Sequence, residues 1–215
     1  MGLESLVLRT FVLMTAMPIH ECSHALMAHW LGDNTAEYEG RLTLNPFSHL
    51  DLMGSIMILL AGFGWAKPVP INPLNFRKHG ISMRAGVALT AAAGPLSNLV
   101  LGLLFFILCK VVFFHSASLA AAQALLVICQ INVMLAVFNL LPVYPLDGSR
   151  VISYFLPDHM LRWVEEHAMV IQVVFMGVIL VTNLLDYPLG LMQSFVLRGF
   201  DALTSLGGLF PRILG

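Results

Sequence analysis

The sequence has 215 residues, 58% of them hydrophobic and only 11% charged, with a formal net charge of −1. Soluble domains carry roughly a quarter charged residues, so this shortfall, with the long apolar runs, places the chain in the membrane class. The near-neutral charge offers no basic field for nucleic acid. Cys22, Cys109 and Cys129 lie in apolar stretches without CxxC spacing, so they form no disulfide framework.

The first apolar segment, Thr10 to Ile19, does not read as a signal peptide. Glu4 and Arg9 cancel in the region before it, and a His-Glu pair stands where a small-residue cleavage site would be. The segment is expected to belong to a helix from Leu3 to Leu31, stopped by Gly32-Asp33-Asn34. Residues 35–45, TAEYEGRLTLN, place Thr and Tyr around a glycine and predict a short β-hairpin. Leu52 to Ala66 is uncharged, but its 15 residues fall short of the ~20 a spanning helix needs. Residues 67–79, KPVPINPLNFRKH, contain three prolines and predict an extended interfacial segment.

Ala85 to Cys109 is an uncharged run of 25 residues and predicts a span, with a kink at Gly94-Pro95. A turn at His115 to Ser118 leads into a second such span, Leu119 to Leu141. Pro142 and Pro145 then leave an unwound stretch up to Asp147-Gly148. Ala168 to Leu185 predicts a further span. Tyr187 to Phe210 carries Arg198, Asp201 and several glycines, and either spans poorly or lies in the interface. The fold class is therefore an all-α polytopic membrane protein of about four to five transmembrane helices, with a re-entrant or interfacial segment and a short β-hairpin. Lys67, Arg77, Lys78 and Arg84 mark one cytoplasmic segment, and Arg150 and Arg162 mark another. With two spans between them, the two assignments agree.

His20-Glu21-Cys22-Ser23-His24 is an HExxH pattern. On a helix, residues i and i+4 share a face, so two imidazoles can converge on one ion while Glu21 reaches a water beside it. Ionisable groups inside an apolar helix cost about 2.5 kcal/mol or more each when charged, and a metal would offset much of that. The bland alternative is a helix end with interfacial histidines near Trp30. A catalytic zinc takes three protein ligands and keeps one open position. Trp30 occupies the place where a metzincin would have a third histidine. His29 turns to another face, and Asp33, Glu37, His49 and Asp51 lie in a hydrophilic connector. Asp147 follows a run from Val111 to Leu146 that has no Asp, Glu, Lys or Arg, which makes it a candidate ligand. Its alternative role is N-cap of a helix starting near Ser149, and the two roles can coexist.

HECSH, AAGPLSN and NLLPVYPLDGSR together resemble the site-2 protease family of intramembrane metalloproteases. GRLTLNPFSHLDLMGS and FGWAKPVPINPLNFR resemble the connector of its compact prokaryotic branch. Leu52 and Tyr144 stand where that pattern has proline. The resemblance covers residues 18–150. It implies a zinc metalloendopeptidase in which His20, His24 and Asp147 bind one Zn2+ and Glu21 is the catalytic base. It also implies transmembrane protein substrates and a prokaryotic cell (inner) membrane; Arg150 and Arg162, on the same side as Asp147, put the active site towards the cytoplasmic face. The chain then reads as one transmembrane protease domain, with residues 1–155 as catalytic core and 156–215 as C-terminal helices. Asn98 and Asn139, amides in apolar surroundings, are candidate substrate-binding residues, with an interhelical hydrogen bond as the alternative. The rival functions are a membrane zinc transporter and a non-catalytic scaffold that binds membrane helices.

Overall fold

The helix that carries HECSH is bounded by a proline at one end and a glycine at the other. In the computed structural model, which describes residues 6–7, 10–61, 64–76, 80–115, 118–205 and 211, helix α1 runs Met17–Leu31 and follows a π-helical turn at Val12–Ala16. Pro18 has no N–H to give the preceding turn, and its ring crowds the carbonyl four residues back, so a widened turn ends just before it. At the other end Gly32 adopts φ 106°, a left-handed conformation that closes the helix on Ala28 and His29 carbonyls. The expected start of this helix near Leu3 lies outside the described residues.

The connector departs from the predicted β-hairpin. Residues 35–38 form a short helix, α2 (Thr35–Tyr38), and no strand occurs among the described residues. The Asp33 carboxylate accepts both the backbone N–H and the hydroxyl of Thr35, which starts a helical turn where Thr alone had pointed to a strand. Helix α3, Leu52–Ala61, has ten residues and is about 15 Å long, half of a ~30 Å hydrocarbon core. The chain then comes back on itself. Leu50 and Ala66 form an isolated antiparallel bridge, and Lys67 N–H donates to His49 O at 2.8 Å. Gly54 and Gly64 permit that return, because a Cβ on either would strike backbone of the other arm. Residues 67–72 form no helix, as predicted, one 3-10 turn follows at Pro73–Asn75, and residues 77–79 of the predicted extended segment lie outside the described residues.

Helix α4 runs Met83–His115, 33 residues without a break at Pro95, and α5 runs Leu119–Asn139 with the Ser118 hydroxyl as its N-cap. Both are long and apolar enough to cross a membrane. Then follow α6 (Asp147–Ser153), α7 (Asp158–Glu166), α8 (Ala168–Val181) and α9 (Asp186–Ser205). At 14 residues, α8 is shorter than the predicted span.

Helix α4 is the centre of the packing: α1, α5, α6 and α9 all touch it. One buried cluster, Phe106, Cys129, Val133, Val137, Leu189 and Leu197, joins α4, α5 and α9. Cys109 and Cys129 are buried and unpaired, as expected of small core residues. The last segment, which read as poorly spanning, is fastened there by charge. Lys110 Nζ lies 2.6 Å from Asp201 Oδ1, with both side chains fully buried.

Candidate metal centre

Two histidines one helical turn apart define the site. His20 and His24 on α1 put their Nε2 atoms 3.0 Å from each other. Asp147, the first residue of α6, brings Oδ2 to 3.1 Å from His20 Nε2 and 3.3 Å from His24 Nε2. The N-cap position of α6 is Leu146 and no side chain caps it, so the Asp147 carboxylate is committed to the histidines. The proline-broken stretch 140–146 delivers it there, and Gly148 lets α6 tuck beneath the Leu140 and Leu141 carbonyls, where any Cβ would collide.

Helix α4 supplies a complementary stripe, Thr90, Gly94 and Asn98, at four-residue spacing. The Thr90 carbonyl accepts from His24 Nδ1 at 2.7 Å. That bond keeps the proton on Nδ1 and leaves the Nε2 lone pair free, the arrangement typical of a metal-ligating histidine. Gly94 presents bare backbone to both rings: a Cβ there would lie 2.6 Å from His24 Cε1 and 2.7 Å from His20 Cε1. Asn98, fully buried, places its amide 3.3 Å from His20 Nδ1, with Oδ1 unpartnered. Turned over, the amide would accept from Nδ1–H and fix His20 as Thr90 fixes His24.

The donor set fits zinc. Bonds of about 2.0–2.2 Å in a tetrahedron put donor atoms roughly 3.3–3.6 Å apart. The observed separations of 3.0–3.3 Å are close to that. Two histidine nitrogens and a carboxylate oxygen in such proximity suit a cation, which can satisfy a lone pair on each of the three at once. His20, His24 and Asp147 are the one group of three potential ligands found among the described residues.

Glu21, next to His20, is half-buried, and its Oε2 accepts the Val69 N–H from the extended connector at 3.3 Å. Asn139 stands apart: its amide nitrogen donates to Leu135 O of its own helix. His29 turns to Glu37 at 3.2 Å, on another face as expected. Asp33 and His49 need more explanation than the sequence suggested. Both are fully buried, and Arg41, bonded to the Lys67 carbonyl, is nearly so. Burial pushes the Asp33 carboxyl up, but hydrogen bonds from Thr35, Asn75 and the Asn72 N–H outweigh it and hold the pKa below the usual range.

Comparison with known proteins places the chain in a family. Residues 109–182, which include Asp147, match the model of peptidase family M50. YwhC of Bacillus subtilis (strain 168), named as a candidate zinc metalloprotease, is 44% identical over 151 residues, 67% of each chain. Rip2 of Mycolicibacterium smegmatis, named in the same way, is 32% identical over 135 residues, 60% of this chain and 50% of its own length. Rip2 of Mycobacterium tuberculosis is also 32% identical, over 140 residues, 63% of this chain and 52% of its own length. The chain thus spans about half the length of the mycobacterial relatives. No solved structure matches it. Fold and relatives define the class: a helical membrane zinc metalloprotease. Within that class, the chain belongs to peptidase family M50, the site-2 protease family.

Proposed function

We propose that the chain hydrolyses peptide bonds in or near the transmembrane segments of membrane-protein substrates. His20, His24 and Asp147 hold one Zn2+ per chain, and Glu21 is the base. The observation that carries this reading is the convergence of three donors at 3.0–3.3 Å directly beside Glu21. Zinc at such a site supplies Lewis acidity towards a carbonyl oxygen and acidifies water. Glu21 then takes the proton of the attacking water and delivers it to the leaving nitrogen. Its Oε2 is already engaged by Val69 N–H, which leaves Oε1 for that transfer. Asn98 orients His20. Asn139, half-buried at the end of α5 with its nitrogen bonded to Leu135 O, offers its amide oxygen to an unwound substrate backbone. A helical substrate hides its carbonyls in its own hydrogen bonds, so substrates with Gly, Pro, Asn or Ser in the spanning helix are favoured.

The membrane placement belongs to the same reading: a prokaryotic inner membrane, the site towards the cytoplasm, and residues 1–155 as the catalytic core of one domain. Arg84, at the start of α4, pairs with Asp158 at the start of α7, which supports one side for both basic segments. The test is cleavage of a membrane-tethered reporter by purified protein in detergent or liposomes. Wild type cleaves, and Glu21→Gln keeps its zinc and does not. Near-normal turnover in Glu21→Gln would sink the mechanism. An intact reporter with wild type would favour the transporter or scaffold.

A further inference from the structure

The segment that touches Glu21 is a rod. From Lys67 to Pro70, KPVP, every residue is a proline or precedes one. Proline fixes φ near −65°, and the residue before it is confined to extended conformations. Such a rod moves as a unit, and its position is set where its ends are held.

Both ends are held by buried polar groups. At the first, Lys67 N–H donates to His49 O at 2.8 Å, and Lys67 O accepts from Arg41 Nη2 at 2.6 Å. At the second, Asn72 N–H donates to Asp33 Oδ2 at 2.7 Å, and Asn75 Nδ2 donates to Asp33 Oδ1 at 2.9 Å. Asp33 itself is fully buried two residues past the end of α1. The same carboxylate therefore ties the rod to the helix that carries HECSH. Beyond it, Phe76 packs on Ala28 and Leu31 of α1 and lies against Gly86 of α4, where a Cβ would come within 2.5 Å of its ring. Between the two anchors, Val69 presents the N–H that meets Glu21.

We infer that Asp33 is a positioning residue for catalysis: it clamps the segment that continues the rod to the end of α1, at Asn72 and Asn75, so that the Val69 N–H engages Glu21 and turns the free carboxylate oxygen to the reaction. This rests on Glu21 being the base. The Lys67 anchor alone leaves the rod free to swing about one end, so the Asp33 end decides whether Val69 stays in place. The carboxylate has no donor, while four N–H or O–H groups point at it. An amide at position 33 would set its NH2 against one of those donors.

The test uses full-length protein with Asp33→Ala, Asp33→Asn and the milder Asn75→Ala. Reporter cleavage, zinc content and amide hydrogen exchange are measured on each. Zinc should stay at the wild-type level. In the Asp33 variants kcat should fall at least tenfold while KM changes less than threefold, with Asn75→Ala between them and wild type. Exchange in residues 64–76 should rise, with α1 still protected. Wild-type kcat in Asp33→Ala would overturn the inference. So would lost activity with zinc loss and equal deprotection of α1, because Asp33 would then serve only folding. If wild type cleaves nothing, the protease reading fails, while unchanged exchange in residues 64–76 of the Asp33 variants would separately overturn the clamp.

Discussion

Gly94 of α4 lies against the His24 ring so closely that a Cβ would come within 2.6 Å of Cε1. His24 cannot swing away freely, since its Nδ1 is bonded to Thr90 O at 2.7 Å, one turn earlier on the same helix. The glycine of AAGPLSN is therefore a spacing device that lets α4 approach the two histidines closely enough for Thr90 and Asn98 to reach them.

Gly94→Ala should accordingly displace both histidines while leaving the helices formed. Displaced support of this kind typically costs 10–100-fold in metal affinity. Zinc per chain after dialysis against a graded chelator should fall in step, with unchanged helical circular dichroism. Wild-type zinc retention would mean that the helices separate without cost and that the close approach is incidental.

The ligands and their supports should separate by degree. His24→Ala or Asp147→Asn should strip zinc almost completely, whereas Asn98→Ala should weaken it by about 10–100-fold by releasing His20 Nδ1. Competition with a fluorescent chelator measures all three. Full zinc in Asp147→Ala would remove Asp147 from the ligand set. An Asn98→Ala protein with normal zinc affinity and a raised KM would return Asn98 to substrate binding.

Much of this site was legible because a membrane chain makes polar residues conspicuous. His20, Glu21 and His24 stand out in an apolar helix, and Asp147 ends a run of 36 residues, 111–146, without Asp, Glu, Lys or Arg. Helix ends were legible where local chemistry sets them, as at Gly32 and Ser118. The connector was not, because its polar residues looked solvated. Arg41 is bonded to Lys67 and Asp33 to Asn72 and Asn75, partners 26 to 42 positions away that no local pattern reveals. Thr35 was read as a strand former because its bond to Asp33 was not visible. The Val69 donor is backbone and has no residue signature, although the flanking prolines marked the segment as extended.

The Lys110–Asp201 pair went unread for the same reason, 91 residues separating its members along the chain. Lys110 also donates to Ser205 Oγ and Pro211 O, each at 3.2 Å, and sits over the Phe106 ring. Breaking a buried pair leaves one charge uncompensated and costs about 3–5 kcal/mol, whereas an apolar replacement of both can be neutral. Asp201→Asn and Lys110→Met should each lower the unfolding midpoint in detergent. Lys110→Met with Asp201→Leu should recover most of the loss. A double variant as unstable as the sum of the singles would show that the pair carries no coupling.

The return of the chain at Ala66 fixes a prediction about sidedness. Leu50 and Ala66 are bridged and Lys67 donates to His49, so the segment between them begins and ends at one level. Its helix is ten residues, about 15 Å, and cannot cross a ~30 Å core. Backbone that dips into a membrane without crossing is tolerated only when protein or a water cavity covers it. The Gly54 and Gly64 contacts between the two arms provide part of that cover. Residues before and after the dip should therefore face the same compartment, which the basic flanks make the cytoplasm. Tyr38, Phe47 and Leu74 are well exposed and suit single-cysteine labelling in a chain whose native cysteines are replaced. With an impermeant thiol reagent on oriented vesicles, Tyr38→Cys, Phe47→Cys and Leu74→Cys should all react from the cytoplasmic side. Labelling of Phe47→Cys and Leu74→Cys from opposite sides would mean that residues 52–66 span, and that the metal site lies at a different depth.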